Sequence, residues 1–324
     1  MAANVECKPV LFTARMGPNF LWHMLAVARI SYDSDYADRR SGSVTRDGLE
    51  RLRAHARLLR FGLGSASPLT SFFTFLPAWL RLETKEEFAR YFRSAERSLA
   101  EGTLRVFIED FPQADWLDPF FHHFCIDPDF RPDQEMRRAS AALAPVYLES
   151  FDAYREAVWP EAVRAMQPRI EELSEFFEAK DYILLWEKAL GIEFETPSYE
   201  IMLCYASKNG PDANSLGYGS NLFYYDRPFA RTWQLVSHEI GTHLLFDLLM
   251  SNVGRRHYDQ QRLGDAYEVF VMFLNRRVLG LETLAYDLGR RGNSAVLEFC
   301  ETTFREGTDR PEFFRTIADR FCRA

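Results

Sequence analysis

The chain has 324 residues, of which 47% are hydrophobic and 27% are charged, and its formal net charge is −8. These proportions are typical of a globular protein with enough apolar material for one large domain or two modest ones. The acidic balance lacks the basic surplus of general nucleic-acid binders, so we expect no nucleic-acid partner.

The cysteines and apolar runs indicate the compartment. Five cysteines are scattered without a CxxC pair, and the first residues lack a basic stretch followed by a long apolar run. The longest apolar run, residues 69–82, contains Pro77 and is too short to span a bilayer. We therefore expect a cytoplasmic protein with free thiols and no membrane partner.

The first half of the chain has helical periodicity. Apolar residues recur at spacings of three and four, which indicates amphipathic helices, at 19–30, 47–62 and 85–102. A longer helical stretch follows at residues 132–190, with breaks expected near Pro160 and Pro168.

Two short segments rich in aromatic and aliphatic residues, 198–206 and 217–226, predict strands joined by a loop of turn-forming residues. Further helices follow them. The predicted fold class is α+β, mostly helical. We expect a helical N-terminal region at residues 1–135 and a second domain, with the small sheet, at residues 136–324.

The segment SHEIGTH places His238, Glu239 and His243 in an otherwise apolar stretch. Residues five apart on a regular helix diverge by about 140°, so one metal ion would not reach both imidazoles. A π-bulge at Gly241 would return them to one face, and glycine tolerates a distorted backbone. We therefore predict a bulged helix.

These residue types suit a zinc site. Neutral imidazole and carboxylate are zinc ligands, and a catalytic site keeps one position open for water. The alternative is that both histidines are core residues bonded to carbonyl groups. Glu239 counts against that alternative, because burying an unpaired charge is costly.

A two-histidine site needs a third protein ligand, and Glu268 is the leading candidate. It lies within AYEVFVMFL, where an ionised carboxylate would be costly unless it met a cation. Asp265, three residues earlier, is the alternative, although its position near the apparent helix start also suits an N-cap.

HEIGTH followed by a glutamate on a later helix resembles the gluzincin group of zinc metallopeptidases. The five-residue spacing resembles the microtubule-associated tyrosine carboxypeptidase family and, more distantly, dipeptidyl peptidase III. The resemblance covers residues 198–280. It implies a zincin-like catalytic domain at 136–324 that binds Zn²⁺.

The resemblance also implies individual roles. His238, His243 and Glu268 would bind zinc, and Glu239 would act as general base. An extended peptide substrate would pair with an edge strand beside the motif helix, either 222–225 or 200–205.

An oxyanion in such a site needs a hydrogen-bond donor. Tyr267 is our candidate, and the alternatives are His257, Tyr258 and Tyr218. Arginines after the motif are candidates to bind a substrate carboxylate, although a solvated loop explains them equally well: Arg255, Arg256 and Arg262.

The predicted function is a zinc-dependent metallohydrolase, most simply a peptidase acting on a peptide or protein substrate. The alternatives are an inactive zincin-like module that binds a peptide or protein, a metal-dependent hydrolase of a non-peptide amide, and a metal-free helical interaction protein.

Overall fold

The structure, a computed structural model, describes residues 7–62, 65–103, 105–113, 132–211, 213–255, 257–286 and 293–324. Its contacts divide the chain into two compact units. The motif unit comprises Met1–Val10, Phe177–Tyr199 and Arg227–Ala324, and the sheet unit comprises Leu11–Phe176 and Glu200–Asp226.

The sheet unit contains most of the helices of the first half of the chain. They are α1 (Met16–Val27), α2 (Tyr36–Arg40), α3 (Arg46–Ala54), α4 (Ala56–Leu59), α5 (Pro68–Thr70), α6 (Leu76–Trp79), α7 (Lys85–Glu101), α8 (Arg105–Asp110), α9 (Gln134–Ala157) and α10 (Trp159–Glu178). A 3₁₀ turn occupies Ser41–Ser43, and a π-helical turn at Ser71–Phe75 joins α5 to α6.

Local sequence signals define α7 closely. The Thr84 hydroxyl accepts a hydrogen bond from the backbone of Glu87, whose carboxylate accepts one from the backbone of Thr84. This capping box satisfies backbone donors at the helix start. Gly102, at φ 69°, ends the helix in the left-handed conformation that glycine tolerates.

Aromatic residues fill the core of the sheet unit. The ring of Phe20 on α1 lies 5.1 Å from the ring of Phe151 and 5.6 Å from that of Phe88, between centroids. Asn19, beside it, donates to the carbonyl of Leu203 at 2.8 Å and accepts from the backbone of Tyr205 at 2.9 Å. These bonds fix α1 against the sheet.

The sheet has four strands in the order β1-β4-β6-β5. The strands are β1 (Val10–Thr13), β4 (Tyr199–Cys204), β5 (Ala213–Ser215) and β6 (Ser220–Tyr224), and β2 (Phe61–Gly62) pairs with β3 (Ser65–Ala66) separately. Strand β6 pairs in parallel with β4, with Met202 opposite Leu222, and antiparallel with β5.

Neither strand expected to offer an edge is at an edge. Strands β4 and β6 are both interior, because β1 covers one side of the pair and β5 covers the other. All residues of β4 and β6 are buried, as expected for strands covered on both faces. The expectation that 200–205 or 222–225 forms an exposed edge is wrong.

The motif unit contains the remaining helices. They are α11 (Tyr182–Leu190), α12 (Phe229–Leu244), α13 (Phe246–Met250), α14 (Gln260–Leu279), α15 (Asn293–Thr303) and α16 (Arg310–Phe321). Side-chain caps begin α11, α14 and α16, from Asp181, Asp259 and Asp309. Such caps satisfy backbone donors at helix starts.

The mostly helical α+β class is confirmed, whereas the two units do not follow the division expected at residue 135. Helix α9 starts at Gln134 and packs against α7, α3 and α1 within the sheet unit. Periodicity located the helices but carried no information about which helices pack together.

The two breaks expected near prolines have different outcomes: the break near Pro160 is present and the break near Pro168 is not. The long helical stretch breaks at Val158, and Pro160 then lies in the first turn of α10, where its missing N–H costs little. Pro168 lies inside α10, and Pro145 lies inside α9. Helix α10 continues through Pro168, so the predicted break at this residue is wrong.

No helix in the described part of the chain has both the length and the apolar character needed to cross a bilayer. The described cysteines form no disulfide with one another: Cys7, Cys204, Cys300 and Cys322.

A buried histidine holds the 3₁₀ turn of the sheet unit. His23 Nδ1 lies 2.7 Å from the Tyr36 hydroxyl, and its Nε2 lies 2.8 Å from Ser43 Oγ. Ser43 itself donates to the carbonyl of Arg40 at 2.7 Å. Ser43 must therefore accept from His23 Nε2–H, which leaves Nδ1 to accept from Tyr36. Burial, together with the nearby Arg40 charge, lowers the pKa of His23 from 6.5 to about 3.

We expect this histidine to make folding pH-dependent. Between about pH 6.5 and pH 3 the unfolded chain binds a proton at His23 that the folded chain does not, so stability falls as pH falls, by about 1.4 kcal/mol per unit at most. Urea unfolding of wild type and His23→Gln across this range measures the effect. The variant should be less stable at pH 7.5 and should lose less stability on acidification. Parallel pH profiles would contradict the assignment.

Candidate functional site

Helices α12 and α14 bring His238 and Glu268 together within the motif unit. His238 Nε2 lies 3.0 Å from Glu268 Oε2. The imidazole is 1% exposed and the carboxylate side chain 23% exposed. A buried histidine thus faces a carboxylate that retains some access to solvent.

The motif helix has no π-bulge. Helix α12 is α-helical throughout Phe229–Leu244, and the backbone N–H of Leu245 donates to the carbonyl of Gly241, four residues earlier, at 3.0 Å. The predicted bulge is therefore wrong. Regular geometry leaves the directions of His238 and His243 about 140° apart around the helix axis.

Gly241 has a packing role instead. A Cβ atom on it would lie 2.4 Å from Cη2 and 2.5 Å from Cζ2 of Trp186. The indole of Trp186, on α11, therefore occupies the space that any larger side chain needs. Its Nε1 donates to Ser237 Oγ on α12 at 2.9 Å.

His243 lies in the last turn of α12 and is 1% exposed. Its ring meets the ring of Tyr199 edge to face, with 5.3 Å between centroids. Across the described ranges, no three or more histidine, cysteine, aspartate or glutamate side chains are grouped so as to bind one metal ion. The structure thus brings two of the three expected ligands together.

Glu239 and Tyr286 lie near this pair. Glu239 is partly exposed. The ring of Tyr286 meets that of His238 edge to face, with centroids 5.6 Å apart, and its hydroxyl accepts a hydrogen bond from Asn275 Nδ2 at 3.0 Å. Burial first, and then the charges of Glu239 and Glu268, raise the pKa of Tyr286.

Tyr286 is a site residue that sequence reasoning missed. It follows α14 in a segment without regular secondary structure or a recognisable motif. The only available signal was a tyrosine shortly after the helix that carries Glu268. That signal does not distinguish it from Tyr267, which is nearer to Glu268 in sequence.

Tyr267 braces the motif helix. Its hydroxyl donates to the carbonyl of Thr242, in the last turn of α12, where carbonyls lack intrahelical donors. Its ring is 1% exposed and packs against Phe314. The neighbouring residues Tyr267 and Glu268 thus contact α12 at Thr242 and His238.

Asp265 is not the cap of its helix. Helix α14 begins at Gln260, and Asp259 caps it by accepting from the backbone of Arg262 at 3.0 Å. Asp265 lies within the helix, where its Oδ1 accepts from Gln261 at 3.2 Å. The apolar periodicity began three residues after the true helix start, which misplaced the expected N-terminus.

The other residues expected to stabilise an oxyanion or to bind a substrate carboxylate lie in different surroundings. Tyr258 is buried and donates to Asp319 Oδ1 at 3.0 Å, whereas His257 is exposed. Tyr218 belongs to the sheet unit. Arg255 and Arg262 are exposed and contact their own segment, at Ser251 and Asp259, and Arg256 lies outside the described residues.

Comparison of the chain with family models, with curated proteins and with solved structures finds no match. The resemblance to gluzincins therefore depends on the motif residues themselves.

The contact of Trp186 with Gly241 yields a stability prediction. Gly241→Ala should destabilise the protein by about 1–3 kcal/mol, because the methyl group would overlap the indole, although alanine normally favours a helix by about 1 kcal/mol. The matched control is Gly264→Ala, on α14, where a Cβ meets nothing within 4 Å. The control should stabilise the protein slightly. Urea unfolding that found Gly241→Ala stabilising as well would contradict the packing role.

Proposed function

We propose that this protein is a metal-dependent hydrolase, most simply a zinc peptidase, that uses Glu239 as its general base. The observation that carries the proposal is the 3.0 Å contact between His238 Nε2 and Glu268 Oε2. The two groups come from different helices and are both of the kind that zinc prefers.

The separation of the two donor atoms supports a shared ion. Zinc–ligand bonds of roughly 2.0–2.1 Å in tetrahedral geometry place neighbouring donor atoms about 3.3 Å apart. His238 Nε2 and Glu268 Oε2 are within a few tenths of an ångström of that separation. Small side-chain movements would therefore suffice for these two groups to bind one ion.

The donor set fits zinc in part. His243 is the third ligand that the motif predicts, but the described residues contain no preformed group of three. A ligand histidine usually donates its second ring N–H to an acceptor, yet Nδ1 of His238 is buried with no hydrogen-bond partner among the described residues. The proposal therefore requires a local rearrangement around the last turns of α12.

The chain supplies the acid–base chemistry. Zinc, when bound, lowers the pKa of a water ligand towards neutrality and polarises a carbonyl oxygen. Glu239 follows His238 directly and is partly exposed, which suits a base that accepts a proton from water. The protonated carboxyl would then deliver the proton to the leaving nitrogen. A peptide bond and a non-peptide amide make the same demands on these groups.

A metal-free alternative has specific support. The 3.0 Å separation of His238 Nε2 and Glu268 Oε2 is an ordinary hydrogen-bond distance, so this contact can simply join two helices without a metal ion. In that case the unit would be an inactive binding module or an interaction domain. The helix contact would persist, and no ion would be retained.

The metal content of the purified protein distinguishes the zinc hydrolase from the metal-free alternative. Elemental analysis by mass spectrometry of untagged wild-type protein, after zinc is supplied and excess removed, should give about one zinc per chain. His238→Ala, His243→Ala and Glu268→Ala should each lose it, whereas Glu239→Gln should keep zinc and lose hydrolysis in a peptide-library screen. Asp265→Ala is the control and should retain both.

Each contrary outcome has a definite meaning. Wild-type protein without zinc would refute the proposal and favour the metal-free alternative. Zinc retained by His243→Ala alone would keep the metal but remove His243 as a ligand. Zinc retained by Glu268→Ala but lost from Asp265→Ala would move the third ligand to Asp265.

A further inference from the structure

The segment that follows α14, residues 281–286, folds back onto the motif helix. Gly280 ends α14 at φ 68°, a left-handed conformation that turns the chain sharply. The residues between this glycine and Tyr286 are exposed or half-buried, whereas Tyr286 itself is 6% exposed. The segment thus leaves α14 at a glycine turn, runs along the surface and is buried again at its far end.

Two hydrogen bonds join the far end of this segment to the helix pair. The backbone N–H of Ala285 donates to Gln234 Oε1, on α12, at 2.6 Å. The Tyr286 hydroxyl accepts from Asn275 Nδ2, on α14, at 3.0 Å. Gln234 is 6% exposed and Asn275 is fully buried, so water competes poorly for either bond. We call these two hydrogen bonds the latch.

The Asn275 half of the latch has a fixed orientation. Asn275 Nδ2 also donates to the carbonyl of Gln234 at 3.0 Å, and its Oδ1 accepts from Ser237 Oγ at 2.7 Å. Ser237 in turn accepts from Trp186 Nε1 at 2.9 Å. An indole N–H only donates and a backbone carbonyl only accepts, so the amide cannot flip without losing bonds. This chain of hydrogen bonds from Trp186 to Tyr286 connects three helices with the segment after α14.

The latched segment shields the imidazole of His238. The ring of Tyr286 meets the ring of His238 edge to face, with centroids 5.6 Å apart. His238 is only 1% exposed, although the Glu268 side chain that contacts it is 23% exposed. Two hydrogen bonds and one ring contact are a small attachment compared with that of a packed helix. Segments attached in this way open locally far more often than the whole protein unfolds.

We propose that residues 281–286 form a strap that hinges at Gly280 and gates access to His238. In the latched state the strap shields the imidazole. Release of the latch lets Tyr286 move away from His238 and admits a solute to the His238–Glu268 pair. This role is the same whichever metal or ligand reaches the pair, so it goes beyond the proposed function.

The first measurement tests the latch. It compares full-length wild type with Gln234→Leu, which removes the acceptor for Ala285, and with Gln234→Glu, which keeps an acceptor oxygen. Any bound metal is first chelated. In ¹⁵N-labelled protein, the Ala285 amide should exchange slowly with deuterated water in wild type and Gln234→Glu. It should exchange at least about tenfold faster in Gln234→Leu, because a lost hydrogen bond shifts the local opening equilibrium by about that factor.

The second measurement tests access to the imidazole, by reaction with diethyl pyrocarbonate and peptide mapping by mass spectrometry. His238 should react at least about tenfold faster in Gln234→Leu than in wild type or Gln234→Glu. Two other histidines are internal controls. His257 is exposed and should react rapidly in every variant, whereas His243 is 1% exposed and should stay slow. Tyr286→Phe, which removes the other bond of the latch, is the second variant should Gln234→Leu not fold.

The outcomes are distinct. Faster exchange at Ala285 together with faster modification of His238 supports the strap. Faster exchange at Ala285 with unchanged His238 overturns the gating role, because the segment then opens without exposing the imidazole. Unchanged exchange in both Gln234→Leu and Tyr286→Phe overturns the latch. An equal rise at His243 indicates general loosening and also overturns the gating role. None of these readouts needs zinc or hydrolysis, so failure of the strap and failure of the proposed function are separate results.

Discussion

The packing of α14 against α12 determines where every polar group of the candidate site lies. Asn275 meets Gln234 and Ser237, Glu268 meets His238, and Tyr267 meets Thr242. Residue numbers fall along α14 as they rise along α12, so the helices run antiparallel. One helix pair thus fixes the imidazole, the carboxylate facing it and the amide that orients Tyr286.

The interface between α12 and α14 contains many polar side chains, whereas interfaces between helices are usually apolar. Buried polar groups are costly unless hydrogen-bonded, and the chain from Trp186 to Tyr286 satisfies this requirement within the motif unit. Trp186 both begins that chain and packs against the bare backbone of Gly241. The close approach of α11 to α12 therefore depends on a glycine in the motif, which ties the motif sequence to the position of the network.

Local features were predictable from the sequence, and non-local ones were not. Helix α7 followed from the apolar periodicity of residues 85–102, and the placing of Glu268 on a helix after the motif followed from periodicity as well. The edge strands β1 and β5 were beyond reach, because they are only four and three residues long and their pairing is set by tertiary contacts. Tyr286 was missed because its contacts with Asn275 and His238 depend on how the segment after α14 folds back, which no sequence pattern indicates.

The five-residue spacing of the histidines acquires a different physical meaning from the one expected. A bulge would have explained it through backbone flexibility at Gly241, but the helix is regular and Gly241 is needed for Trp186. In a regular helix, His238 lies on the face that meets Glu268, and His243 lies on a different face, where it contacts Tyr199. Tyr267 holds the turn that carries His243 through the carbonyl of Thr242. The proposed zinc site requires His243 to move towards the His238–Glu268 pair, and any such movement must work against the bond between Tyr267 and Thr242.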